Sequence, residues 1–455
     1  VCKPSKIKNM KRIIIVFSFL LIGICATAQD FNKAKMDSLF SLIAENDKAM
    51  GSFSLFKDGK EIYQKSIGFA DVSSNIKASK NTKYRIGSIS KTFTAVLFLQ
   101  LVEDGKVDLN TTLDTFYPEI PNASKISMEF LLNHHSGLFN YTNQQAYLEY
   151  METPKSKEEM LEIFKKNGTS FSPGEKFEYS NTNYALLTYI IEDLTNKSFS
   201  EVLQDKIVKP LKLKNTYFGG HIATDNNEAL SYKMRKNWMP ETETDMSVSL
   251  GAGGLVSTPS DLNSFFTALF NEKLLKEETL EKMIDISEQY GYGIFKIPFE
   301  DKLVYGHSGG IDGFSSISYY FPEEKVAYSF ILNGLDMNSS ELVKGTLRIY
   351  FNEDYQLPVF EKEYEPALSD LKAIEGTYST PMLPIKIKFF IQDGVLMAQG
   401  TNQPSFMPTP VSKNEFKYDL VKLKLEFTPS ENKLMLSQGG GVFELTKEKE
   451  VVETE

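Results

Sequence analysis

Cysteine and histidine are scarce: two cysteines and four histidines in 455 residues. Both cysteines, Cys2 and Cys25, fall in a leading segment that reads as a removable export signal. The mature chain then has no thiol, which excludes disulfides, thiol catalysis and a cysteine-ligated zinc. The adjacent His134 and His135 would not face the same way on a helix, so a two-histidine metal site is not expected. His221, among Gly219, Gly220 and Asp225, reads as an exposed loop residue. No P-loop, H-E-x-x-H or G-x-S-x-G pattern occurs, and there is no internal repeat, so nucleotide, zincin and lipase-type chemistry are set aside. No metal and no cofactor are expected. Positive charge is also in deficit, with 50 Lys and Arg against 60 Asp and Glu and a pI near 5.3, which argues against nucleic acid as the partner.

Long apolar runs are lacking too. The longest candidate, residues 13–24, falls short of the roughly 20 residues that a membrane-spanning helix needs. Met10-Lys11-Arg12 before it and Ala26-Thr27-Ala28 after it complete the pattern of a signal peptide. The expectation is a start at Met10, a signal over 1–28, cleavage before Gln29 and no membrane span afterwards. An acidic, cysteine-free exported chain suits a bacterial periplasm.

What is present is an ordinary globular composition, 41% hydrophobic and 24% charged. An amphipathic helix is expected over 31–44. A hairpin follows over 52–57 and 60–67, with Asp58-Gly59 as its type I′ turn. A mainly helical stretch comes next, clearest at 128–133, 157–166, 184–195, 199–207 and 259–270, the last opened by Ser257-Thr258-Pro259-Ser260-Asp261. Strand patterns return at 293–297, 303–307, 314–321 and 326–332, and 339–351 reads as a closing helix. Strands at both ends and helices between them predict an α+β unit over 29–351, an antiparallel sheet closed by both chain ends beside a helical lobe. A linker is expected over 352–372. Short alternating segments over 373–450 predict a small all-β barrel or sandwich.

Within this frame Ser88 and Lys91 stand three apart at the head of a helix, so their side chains can meet. A serine hydroxyl is a weak nucleophile until a neighbour takes its proton, and a desolvated lysine can do so. The spacing alone is weak, because Ser5/Lys8, Ser54/Lys57, Ser74/Lys77, Ser369/Lys372 and Ser430/Lys433 share it. Two distant segments single out Ser88: Phe177-Glu178-Tyr179-Ser180-Asn181 and Gly306-His307-Ser308-Gly309-Gly310. With them stand Leu131 through Leu138, Ser172-Pro173-Gly174-Glu175, and Gly251-Ala252-Gly253-Gly254-Leu255 running into Ser257.

In that order these stretches resemble the serine β-lactamase and penicillin-binding protein superfamily, nearest its class C β-lactamase-like branch of D-alanyl-D-alanine carboxypeptidases, D-aminopeptidases and esterases. The resemblance implies a β-lactamase/transpeptidase-like fold, Ser88 as acylated nucleophile, Lys91 as its proton partner and Tyr179 as a second acid–base group. It implies that Asn181 positions substrate and that His307, Ser308 and Gly309 wall the site on a sheet-edge strand. The N–H groups of Ser88 and Gly310 would form an oxyanion hole. A tyrosine is a poor base unless a cation holds its phenolate, and Lys91 is the expected cation. Tyr141-Thr142-Asn143 repeats the Tyr-x-Asn form but lies in a polar loop without the Pro-Gly lead-in. Many β-lactamases and carboxypeptidases have lysine where this chain has His307, which favours an esterase, amidase or D-amino-acid peptidase. Glu175 and Glu178 are expected to brace a loop. The expected partner is a small-molecule or peptide substrate, a D-amino-acid peptide or amide, a β-lactam or an ester. The competing function is a low-turnover penicillin-binding or peptidoglycan-sensing protein. The oligomeric state is left open.

Overall fold

The computed structural model describes residues 31–235, 237–286, 290–360 and 364–448. The segment read as an export signal, with both cysteines, lies outside them.

The chain opens with helix α1 (Lys33–Glu45), whose Met36, Leu39, Phe40 and Ile43 form one buried face at helical spacing. Strands β1 (Ala49–Lys57) and β2 (Lys60–Ile67) form the expected hairpin. Its turn residues Asp58 and Gly59 have φ of 50° and 73°, the paired positive values of a type I′ turn. The C-terminal half of this unit adds β3 (Phe295–Phe299), β4 (Lys302–Ile311), β5 (Phe314–Phe321) and β6 (Val326–Leu335). The sheet runs β3-β4-β5-β6-β1-β2, so β6 pairs with β1 and the two ends of the unit meet at its centre. A hairpin of Tyr232–Met234 and Trp238–Pro240 joins β6 through Tyr232.

Two apolar layers cover this sheet. On one face lie α1 and the closing helix Ser339–Tyr350, packed on Phe53, Leu55, Tyr328 and Phe330. On the other lies the lobe, including α2 (Ser90–Glu103), α3 (Asn181–Thr195), α4 (Met246–Gly253) and α5 (Pro259–Phe270). Helix α2 is buried all round, because it runs through the middle of that lobe. This is the expected α+β layering.

The expected linker is shorter in the structure. Tyr355, Leu357 and Phe360 pack on the core shared by the terminal helices and the sheet. Residues Leu368–Ile374 are helical, with Leu371 and Ile374 buried in the C-terminal core. That apolar pair at i and i+3 is hidden among Glu, Asp and Lys in the sequence. Beyond it eight antiparallel strands form one curled sheet, in which the first, Gly376–Ser379, pairs with the last, Gly441–Lys447. Thr409–Pro410 and Glu415–Tyr418 are strands that the alternation pattern did not reveal. Among the described residues no helix is long and apolar enough to cross a membrane.

Candidate active site

The short strand Tyr84–Arg85 leads into a single 3-10 turn, Gly87–Ile89, and then into α2. Ser88 therefore sits where no earlier helical carbonyl is available to its N–H, and that donor points out of the turn. Strand β4 presses against this turn. A Cβ on Gly309 would lie 2.1 Å from the Ile86 carbonyl oxygen, and one on Gly87 would lie 2.8 Å from the Gly310 nitrogen. Glycine at both places lets the backbone around Ser88 and that around Gly310 approach closely. Strand β3 pairs with β4 only as far as Gly306, so His307 to Ile311 border the cleft although β4 is not the outermost strand.

One helical turn after Ser88, Lys91 is fully buried. Its Nζ lies 2.9 Å from Ser88 Oγ, 2.7 Å from Asn181 Oδ1 and 2.7 Å from the Ala252 carbonyl oxygen. Burial holds its pKa well below that of an ordinary lysine. A neutral amine has two N–H groups and one lone pair. Asn181 and Ala252 offer acceptors only, so they take the two N–H groups and the lone pair is left for the Ser88 hydroxyl proton. In the charged form the third N–H donates to Ser88 Oγ instead.

Asn181 is the first residue of α3, and its Nδ2 donates to Thr142 Oγ1 at 2.9 Å while Asn140 Oδ1 accepts its backbone N–H at 3.0 Å. The polar loop that mimics the Tyr-x-Asn motif thus supports the motif itself. Tyr141 is buried and donates to the Val248 carbonyl at 2.6 Å, which takes it out of the chemistry. Ala252 comes from the Gly251-Ala252-Gly253 stretch, which the sequence marked without giving it a task. Leu250 breaks the helix there with φ 49° and ψ −151°, and Gly251 is clamped by Thr188 and Thr94.

Tyr179 stands over the pair, with Lys91 Nζ 4.8 Å from its ring centre. Desolvation raises its pKa above 10, and a hydrogen bond with Ser88 only partly opposes that. Burial thus pushes the Lys91 pKa down and the Tyr179 pKa up, and both shifts work against the expected phenolate held by a lysine cation, because both groups lie in the same desolvated pocket.

His307 is 1% exposed. Its Nδ1–H donates to the Ser308 carbonyl at 2.5 Å, which leaves Nε2 to accept from the Tyr290 hydroxyl at 3.1 Å. Burial, with Lys91 nearby, lowers its pKa to about 3, so it is neutral at physiological pH. Ser308 and Gly310 are exposed along the cleft, with Gly309 between them.

His134 is the residue that the sequence underrated. It is fully buried, takes a left-handed φ of 63°, and packs on Tyr179 with ring centres 4.3 Å apart and planes tilted by 38°. Its Nδ1 accepts from Ser180 N–H and Asn183 Nδ2, each at 3.2 Å. The contiguity of Leu131 to Leu138 was the only signal for it. Glu175 accepts from Ser172 N–H and Glu178 pairs with Lys176, as expected of loop braces. The His221 side chain is 84% exposed. Among the described residues no three His, Cys, Asp or Glu side chains are grouped so as to hold a metal ion.

Two hollows meet at Ser88. One, of about 480 Å³, is lined by Tyr147, Asn181, Glu241, Gly253, Gly310 and Ile311, among others. The other, of about 330 Å³, is lined by Phe177, Tyr179, Phe295 and His307 with the strand Ser308 to Gly310. A serine hydroxyl, a desolvated amine and a phenol grouped on an α+β scaffold suit a serine acyl-transfer enzyme.

The β-lactamase family model matches residues 41–351, and the chain belongs to that family. It is a serine hydrolase. It is similar to the teichoic acid D-alanine hydrolase of Staphylococcus aureus, with 26% identity over 291 residues, 62% of this chain and 70% of that one. It is also similar to the D-amino acid amidase of Ochrobactrum anthropi SV3, solved with D-phenylalanine, with a TM-score of 0.64 and 25% identity over 70% of this chain and 99% of that one. The octameric penicillin-binding protein homologue of Pyrococcus abyssi shares the fold across 91% of this chain and 99% of that one, with a TM-score of 0.62 and 24% identity.

Proposed function

We propose that this enzyme hydrolyses the amide or ester of a D-aminoacyl group through an acyl-enzyme on Ser88. The observation that carries the reading is the Lys91 amine, desolvated and held by two acceptors with its lone pair toward Ser88 Oγ. Lys91 takes the hydroxyl proton as Oγ bonds to the substrate carbonyl carbon. The N–H groups of Ser88 and Gly310 hold the oxyanion, a contribution of several kcal/mol at the transition state. The intermediate collapses as the bond to the leaving amine or alcohol breaks. Tyr179, hydrogen-bonded to Ser88, passes the proton from the lysine ammonium to the leaving atom. Water then attacks the ester on Ser88 as Lys91 accepts its proton; the bond from the acyl carbon to Oγ breaks, Oγ takes that proton from Lys91, and the acid leaves.

D-Aminoacyl substrates are favoured because the relatives are a D-alanine hydrolase and a D-amino acid amidase. His307 favours an amide or ester over a substrate with a terminal carboxylate. It is neutral and buried where a cation would be needed to receive that charge. Export to a bacterial periplasm completes the proposal; its test is fractionation of cells and the N-terminal mass of the recovered protein.

The test of the chemistry is intact-mass detection of the acyl-enzyme, with D-alaninamide, D-alanyl p-nitrophenyl ester, a D-Ala-D-Ala peptide and benzylpenicillin. Turnover of the first two, with an adduct that disappears in Ser88→Ala, is the expected result. Full activity of Ser88→Ala on all substrates would refute the reading. A single burst of product with no further release would replace it with a low-turnover penicillin-binding protein.

A further inference from the structure

The two hollows at Ser88 differ in charge. On the reading above, Tyr179 supplies the leaving group's proton, so the hollow lined by Phe177, Tyr179, Phe295 and His307 receives the leaving group. The larger hollow, which follows β4 from Gly310 through Ile311 to Asp312, then receives the acyl portion.

Two carboxylates line this acyl side, and they are in opposite states. Asp312 is buried and consumed: Arg85 Nη1 donates to it at 3.0 Å, and Thr244 donates through its N–H and its hydroxyl at 3.0 and 2.6 Å. Arg85 itself is 2% exposed and is shared with Glu243, so it presents no free positive charge. Glu241 is half-buried, and no ion pair or hydrogen bond among the described residues engages its carboxylate. Its backbone is nevertheless fixed. Glu241 N–H donates to the Ser231 carbonyl at 2.9 Å, the Ser231 hydroxyl accepts from Gly313 N–H at 3.1 Å, and Tyr232 pairs with β6. A Cβ on Gly313 would lie 3.2 Å from Glu241 Cγ, so the side chain lies against the β4–β5 turn. No lysine or arginine is among the described residues that line this hollow, and burial disfavours the charged form of the adjacent Lys91. The acyl hollow is therefore negative, with one unmatched carboxylate at its outer end.

Reach decides what that carboxylate can meet. A strand rises about 3.3 Å per residue, which puts the turn after Asp312 roughly 7 Å or more beyond Gly310, where the scissile carbonyl is held. The amine of the acylated residue lies only about 2.5 Å from that carbonyl carbon. An amine one residue further along an extended chain lies at about 6 Å. We infer that Glu241 receives the free ammonium of a two-residue acyl group, so that the preferred substrates are aminoacyl-D-aminoacyl amides or esters with an unblocked amino terminus. The inference rests on the acyl-enzyme reading and names the acyl portion it acts on.

The test compares glycyl-D-alanyl, acetylglycyl-D-alanyl and D-alanyl p-nitroanilides on wild type and Glu241→Gln, with intact-mass detection of the acyl-enzyme alongside. Wild type is expected to favour glycyl-D-alanyl over its acetylated counterpart by about tenfold in kcat/KM. Glu241→Gln should bring that ratio near one while leaving the acetylated and D-alanyl compounds within about twofold of wild type. The preference should also fade as pH passes about 8, where a terminal amine loses its charge. An unchanged ratio in Glu241→Gln, with acylation intact, overturns the role of Glu241 and leaves the acyl-enzyme reading standing. A loss confined to D-alanyl p-nitroanilide overturns the two-residue reach. If no compound turns over or acylates Ser88, the functional reading falls and this inference with it.

Discussion

Lys91 Nζ lies 2.7 Å from the carbonyl oxygen of Ala252, a residue 161 positions further along the chain. A carbonyl only accepts, and Asn181 Oδ1 on another side of the amine also only accepts, so the neutral amine is oriented before substrate arrives. The rate of acylation should then rise with pH through the depressed pKa of Lys91 and level off well below 10.5, because only the unprotonated amine takes the Ser88 proton. Asn181→Asp sets a carboxylate against the same nitrogen and favours its charged form. The rising limb should move to higher pH, and on that limb the rate falls about tenfold for each unit of the move. A pH profile of kcat/KM for both proteins checks this; a limb that stays put, or moves down, removes Lys91 as the base.

His134 packs its ring on Tyr179 and accepts the N–H of the next residue, Ser180. Its Nδ1 is the acceptor, so Nε2 carries the hydrogen, and among the described residues that atom has no polar partner. The ring serves as a wedge that sets where the phenol lies. His134→Asn tolerates the positive φ but removes the ring contact. We expect kcat to fall about tenfold with KM within about twofold, the pattern of an interaction felt mainly at the transition state. A rise in KM with kcat unchanged would mean that His134 shapes binding and not the phenol. The tyrosine near-ultraviolet signal should shift in the variant even where its unfolding temperature does not.

The helical core, the hairpin and the closing strands were readable because apolar periodicity and turn chemistry agree there. Examples are Phe53 and Leu55 alternating on β1 and Asp58-Gly59 closing the hairpin. Ser88, Tyr179 and His307 were readable as motifs, and the structure brings them around one cleft. What the sequence hid was carried by backbone atoms and by conformations outside the periodic set. The Ala252 carbonyl is a backbone acceptor at a break in a helix, and no side-chain pattern reports it. His134 stood in an adjacent histidine pair judged as if on a helix, whereas its φ is left-handed. Burial pushes the pKa values of Lys91 and Tyr179 apart, and spacing does not record that either. The helix Leu368–Ile374 was hidden because only Leu371 and Ile374 of it are buried.

The boundary after the closing helix makes a stability prediction. Tyr355 lies over Gly345, close enough that a Cβ there would sit 2.5 Å from its hydroxyl, and Leu357 and Phe360 pack on the same core. A chain ending at residue 360 should keep these contacts, and one ending at 351 should lose them. Three partly buried side chains amount to about 3 kcal/mol or more. Thermal unfolding of the two truncated chains compares them directly, since both lack the C-terminal sheet. Equal unfolding temperatures would show that residues 352–360 are a passive tether.

His307 offers a prediction in which stability and catalysis separate. Its folded pKa of about 3 lies below the ordinary histidine value, so between those values the unfolded chain binds a proton that the folded chain refuses. The stability associated with the neutral ring is therefore complete above about pH 6.5 and is lost as pH falls from there toward 3. Glutamine has no such proton, so His307→Gln should lose less stability on acidification. Relative to pH 8, wild type should lose about 3 kcal/mol more than His307→Gln at pH 4, read from urea midpoints. Parallel curves would mean that the ring titrates normally and is open to water. Because His307 stays neutral across the working range, its titration should leave no limb in the kcat/KM profile between pH 5 and 8. His307→Lys should then add charge to the leaving-group hollow, slowing neutral amides and speeding substrates whose leaving group ends in a carboxylate. A variant that slows both kinds alike would show that the ring is needed for its packing against Tyr290 and Phe295 and not for the charge it withholds.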